Sequence, residues 1–210
     1  MNYSIQRPNL FNITDRKKNR TYFGPDQAWY SDKWRARAGC GPVSASIITA
    51  YLAFTRSNYR SLYSSETMDQ DDFLQHMNEI FEFVRPGMMG VNRIPMYTEG
   101  VTSYAASKGV TLTTRVFEVQ GVRIGQREPS HPLADFVAEG LSSDSPLGFM
   151  ALSRGRENRL QNWHWITITS AEIADEDVRV HASDEGREIA FDLQLWYMTT
   201  GLPGGLVYFV

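Results

Sequence analysis

The segment that most constrains this chain runs from Gly41 to Phe54. Val43, Ile47, Ile48, Tyr51 and Leu52 recur at helical spacing, and Pro42 falls in the first turn, where its missing N–H costs nothing. The other side carries Ser44, Ala45 and Ala50, small enough for neighbouring elements to come close. Such a helix has no face made for water, so it predicts a central helix with the rest of the fold built around it. Ser44, Ser46 and Thr49 lie inside a stretch far short of the roughly 20 apolar residues that span a bilayer, so a membrane helix is not expected. Cys40 stands at the N-terminus of this helix.

Around it the apolar period changes once along the chain. Asp69 to Asp72 open a second helix, their acids placed at the positive end of its dipole, with Phe73, Met77, Ile80, Phe81 and Val84 on one face and Arg85-Pro86-Gly87 as its stop. A third helix, Tyr97 to Lys108, ends at Gly109, and a strand rich in Thr and Val follows from Val110 to Val119. Ser130 caps a fourth helix that runs to Glu139, with Pro132 in its first turn. Thereafter Pro146 to Leu152, Trp163 to Ser170, Val178 to Ala182, Glu188 to Asp192 and Gly205 to Val210 read as short strands. Helices first and an antiparallel sheet second predict an α+β fold, 1–210 being a single domain. Within it, 40–109 are mainly helical and 110–210 mainly strands. Residues 1–39 show no sustained period and read as an irregular arm that packs by Tyr22, Phe23, Trp29, Tyr30 and Trp34.

Composition removes several function classes. At 42% hydrophobic residues the chain has the apolar content of a folded globule, which excludes disorder. A formal charge of −3 draws it to neither nucleic acid nor anionic lipid. The first sixty residues hold ten basic against three acidic side chains, read here as attraction between the halves or as solvated surface. One cysteine forms no internal disulfide and no paired zinc site. Neither Gly39-Cys40-Gly41 nor Gly201-Leu202-Pro203-Gly204-Gly205 opens a helix after a strand, so no nucleotide cofactor is expected, and no paired-ligand spacing argues for a metal. The opening residues carry no apolar run with a basic flank, so the expected location is the cytoplasm.

What chemistry remains centres on Cys40. The first turn of a helix favours the thiolate by about 0.3–1 kcal/mol, up to ~2 when partly buried, which is too little without an imidazole to take the proton. His164 lies in Asn162-Trp163-His164-Trp165-Ile166, where alternation predicts a strand, a rigid platform for a base. His181 is the rival, also on a strand, whereas His76 and His131 read as surface residues. A third group should hold the imidazole tautomer. Asp184, twenty residues beyond His164, fits the return strand of a hairpin whose loop spans 171–177. Asp192 and Asn162 are weaker alternatives, and Glu172, Asp175, Glu176 and Asp177 read as a solvated turn.

Ala38-Gly39-Cys40-Gly41-Pro42-Val43-Ser44-Ala45, Ser145-Pro146-Leu147-Gly148-Phe149, Asn162-Trp163-His164-Trp165-Ile166 and Ser183-Asp184 before Leu193-Gln194-Leu195-Trp196 together resemble the papain-like cysteine peptidases. The branch they resemble most is that of the bacterial bacteriocin-processing, double-glycine leader peptidases. The resemblance covers roughly residues 36–200. It implies a papain-like fold, no cofactor, a peptide or protein substrate, and Cys40 as nucleophile, His164 as general base and acid, and Asp184 as orienter. Two departures stand out. The family carries a Gln shortly before its cysteine as an oxyanion donor, whereas Trp34 to Arg37 occupy that stretch here and the nearest Gln is Gln27. Gln27, the Trp34 indole or an impaired hole are the three readings left open. Glu185 also stands where the family has Pro after its Asp. A transglutaminase-like acyltransferase would use the same residues, and a binding module that keeps its thiol is the non-enzymatic alternative.

Overall fold

The computed structural model describes residues 1–121, 127, 131–175 and 177–210. Contrary to the arm expected from sequence, the first 39 residues are largely regular. They form β1 (Asn2–Ser4), a 3-10 turn at Pro8–Phe11, the hairpin of β2 (Asn12–Asp15) and β3 (Arg20–Phe23), a second 3-10 turn at Gln27–Trp29, and α1 (Lys33–Ala38). Each is too short for an apolar period to emerge, and each is held by partners far along the chain. β1, for instance, pairs with residues 170–172, and the Gln6 N–H donates to Asp144 Oδ1 at 2.8 Å.

The central helix α2 (Cys40–Thr55) follows, buried continuously from Gly41 to Ala53. Its hydroxyls survive burial because each is bonded: Ser46 Oγ donates to the Val43 carbonyl at 2.7 Å and Thr49 Oγ1 to that of Ala45 at 2.9 Å. After a 3-10 turn at Ser57–Leu62 come α3 (Gln70–Phe81), α4 (Ile94–Ser107), β4 (Thr114–Val119) and α5 (His131–Ser142). The expected cap Ser130 lies outside the described residues. α2 packs on α3 and α4 and, across its small-residue side, on the sheet.

The sheet is built from β4 and from β5 (Leu147–Ala151), β6 (His164–Ala174), β7 (Asp177–Asp184), β8 (Arg187–Asp192) and β9 (Gly204–Phe209), in the order β4-β9-β5-β6-β7-β8, every described pair antiparallel. β6 is longer than its alternation suggested, since β1 covers its extension on one side and β7 on the other. Residues 171–174 and Asp177 are therefore strand rather than loop, while Glu176 lies outside the described residues. A helix missed in the sequence, α6 (Leu193–Thr199), connects β8 to β9. Asp192 caps it, accepting from the Leu195 N–H at 2.7 Å, and Trp196 anchors it edge-on against Phe149.

Candidate active site

Cys40 is half-buried at the first position of α2, where the helix leaves N–H groups without intrahelical partners. One side-chain network fixes how α2 sits on the sheet. Ser44 Oγ lies 3.1 Å from Tyr97 Oη and 2.9 Å from Thr167 Oγ1, and Tyr97 stacks on Trp165 at 4.0 Å with the rings 6° from parallel. Trp165 in turn donates its indole N–H to the Val91 carbonyl at 2.6 Å. These bonds join the first turns of α2 to the start of β6, where His164 stands.

His164 is 8% exposed, and its Nε2 is 2.6 Å from Asp184 Oδ1. Cys40 lines the same small cavity as this imidazole. Since Nε2 is committed to Asp184, the nitrogen left for sulfur is Nδ1. Desolvation alone would pull this imidazole down. The bond to Asp184 and its charge, together with the neighbouring Cys40, outweigh it and raise the pKa from 6.5 to about 10. Asp184 closes β7 opposite Arg187, and the two residues between them, Glu185 (φ 45°) and Gly186 (φ 74°), both turn left-handed. That is the type I′ geometry a two-residue hairpin needs, and it explains why proline is absent at 185: its ring would fix φ near −65°.

Gln27 lines the same small cavity, about 10 Å³, as Cys40, His164 and Asp184. The N-terminal hairpin places it there. Phe23 N–H donates to the Gly186 carbonyl at 3.0 Å, Gly186 N–H to that of Pro25 at 3.1 Å, and Ser183 Oγ to that of Phe23 at 2.9 Å. Gln27 Oε1 is buried without a partner, and no hydrogen bond among the described residues holds its amide nitrogen. Trp34, 46% exposed, lines with Cys40 a second, wider cleft of about 280 Å³.

The remaining candidates are placed elsewhere. His181 sits on β7, half-exposed, with Nδ1 3.6 Å from Glu188. His131 is exposed at the start of α5. His76, expected at the surface, is 2% exposed. Polar neighbours in sequence suggested solvent, but Tyr63, Phe73 and Tyr104 enclose the ring edge-on, and its Nε2 bonds to the Ser46 carbonyl and Thr49. Asp192 is spent on the α6 cap, and Asn162 Oδ1 accepts the Arg154 N–H at 2.8 Å. Among the described residues one group gathers three potential metal ligands, His164, Asp184 and Glu185, with ligand atoms within 4.8 Å of one another. The 2.6 Å between His164 and Asp184 is shorter than the ~3.3 Å separating two ligands of one tetrahedral zinc ion with bonds of about 2.0 Å, so a proton joins this pair as it stands.

No family model matches the chain, and no curated protein matches its sequence. Its fold is similar to the crystal structure of UfSP from C. elegans, which is papain-like, with a TM-score of 0.54 at 9% identity. The match covers 100% of this chain and 34% of the other, so the chain spans about a third of the length of that neighbour. The α+β architecture is accordingly papain-like. No helix among the described residues is long and apolar enough to cross a membrane.

Proposed function

We propose that this protein hydrolyses a peptide or amide bond through a thioester formed on Cys40. The observation that carries the reading is one imidazole 2.6 Å from a carboxylate and lining one small cavity with the thiol at a helix N-terminus. His164 Nδ1 takes the thiol proton, and the sulfur attacks the substrate carbonyl. The resulting oxyanion is met by the Cys40 backbone N–H and the Gln27 amide. Asp184 accepts from Nε2–H throughout, which keeps the tautomer and steadies the imidazolium. The imidazolium then protonates the leaving amine as its C–N bond breaks. Water, deprotonated by the same nitrogen, attacks the thioester, releasing the carboxylic acid and restoring the thiol. A peptide or protein is the substrate class, and cleavage behind a double-glycine leader is the narrower branch suggested by the sequence strings alone.

The test is alkylation of Cys40 by iodoacetamide, followed by mass spectrometry from pH 5 to 9. Expected is fast modification at pH 6 that slows at least tenfold in His164→Ala, together with turnover of a peptide pool that Cys40→Ala abolishes. A rate that rises only as an ordinary free thiol ionises, unchanged in His164→Ala, would overturn the catalytic reading and leave a binding module.

A further inference from the structure

The two spaces that meet at Cys40 are unequal. The cavity shared with His164, Gln27 and Asp184 is about 10 Å³, room for one water at most, whereas the second cleft that Cys40 lines is about 280 Å³. Cys40 lines both, but His164 lines only the small one. A leaving amine has to be protonated by the imidazole, so it departs on the His164 side. The wide cleft is then where the acyl half of the substrate lies, beginning within a residue or two of the scissile carbonyl.

The walls of that cleft are apolar and open to solvent. Four of the exposed large hydrophobic residues border it: Trp34 and Trp163 at 46% and 45% exposure, Met89 at 58% and Met88 at 95%. Leaving such side chains in water is unfavourable, and a patch that gathers beside a nucleophile points to an apolar occupant. Two backbone features hold the walls. Gly87 and Gly90 exchange both N–H···O=C bonds at 3.0 Å, closing a tight turn whose tip carries the two methionines. Trp163 keeps a φ of 58°, which a bulky residue rarely adopts, immediately before His164. Among the lining residues Arg37 alone is charged, and its guanidinium has no hydrogen bond or ion pair among the described residues.

We propose that this cleft is a specificity pocket on the acyl side of the scissile bond, taking a bulky apolar side chain of the Leu, Met or Phe class together with an adjacent acidic side chain that pairs with Arg37. The inference rests on the hydrolase reading for its orientation, and on the cleft itself for its chemistry. A pair of glycines would leave the pocket empty, so a double-glycine peptide is the natural comparator.

Hexapeptides differing only at the two residues before the scissile bond, Glu-Leu, Glu-Phe, Lys-Leu and Gly-Gly, separate these ideas when their binding to Cys40→Ala is measured by calorimetry. Glu-Leu and Glu-Phe should bind at least tenfold more tightly than Gly-Gly and at least fivefold more tightly than Lys-Leu. Arg37→Glu should reverse the Glu-to-Lys preference. Trp34→Ala, a change at a half-exposed position, should erase most of the advantage over Gly-Gly. Equal binding of Gly-Gly and Glu-Leu, or an unchanged Glu-to-Lys ratio in Arg37→Glu, would overturn the pocket even if the enzyme is active. Because binding is read without the thiol, the preference would also persist if the alkylation test refuted hydrolysis, so the two failures are distinguishable.

Discussion

Gly24 is the tightest point of the contact that brings the N-terminal hairpin to Asp184. Its φ is 80°, and a Cβ built there lies 1.8 Å from Ser183 Oγ and 2.9 Å from Ser183 Cβ. Gly24→Ala therefore costs about 1–2 kcal/mol for a left-handed L residue and about 1–3 kcal/mol for overpacking, roughly 3 kcal/mol in all. For a chain of this length each kcal/mol lowers the melting temperature by about 2–4 °C, so calorimetry should register a drop of roughly 6–12 °C. Ser183→Gly removes both close contacts, the next atom being Phe11 Cδ1 at 3.7 Å. The double variant should thus recover about 1–3 kcal/mol relative to the sum of the singles. Ser183 directly precedes Asp184, so Gly24→Ala should also slow Cys40 alkylation, and Ser183→Gly should restore part of the rate. A Gly24→Ala protein within about 0.5 kcal/mol of the parent, or single effects that simply add, would refute the reasoning.

Three further outcomes follow from the same geometry. Asp184→Asn removes a charge that raises the His164 pKa, so the imidazolium should lose its proton at lower pH; the descending alkaline limb of kcat/KM should move down by about 1–3 pH units. Gln27→Ala should lower kcat by about 10²–10³ while leaving alkylation by a small reagent nearly unchanged, and equal loss in both assays would remove the oxyanion role. Burial, helped by the Lys108 charge and only partly offset by the bond to the Ser46 carbonyl, depresses the His76 pKa from 6.5 to about 3. Its contribution to stability is complete above pH 6.5 and is lost as pH falls through that range, at up to about 1.4 kcal/mol per pH unit. His164 is protonated in both folded and unfolded states over most of that window and adds little slope. Urea unfolding at pH 6, 5 and 4 should show the decline, and His76→Leu should flatten it.

Which residues share the site was legible to different degrees. Cys40 and His164 announced themselves locally, one by Gly39 and Pro42 around a helix start, the other by strand alternation between two tryptophans. Asp184 followed from hairpin reasoning, although the loop placed at 171–177 is mostly strand. The position of Gln27 beside Cys40 was one of three readings, because it depends on Phe23 meeting Gly186 across the length of the chain. His76 misled for the same reason: its neighbours in sequence are polar, but its neighbours in space are Tyr63 and Tyr104. The α6 helix did carry a local signal, Asp192 as its cap, which strand periodicity on either side obscured.

Sequence alone determined the central helix, the change from helical to strand period and the type of chemistry available, since caps, periodicity and side-chain identity are properties of neighbouring residues. Tertiary structure decided the rest: that residues 1–39 hold short regular elements rather than an irregular arm, that Gln27 lines the same cavity as the thiol thirteen positions on, and that Trp34, Met88 and Met89 line one cleft. Those facts rest on sheet register and on a few long-range bonds, such as Ser183 to Phe23 and Trp165 to Val91, whose lengths of 2.9 and 2.6 Å no local pattern encodes.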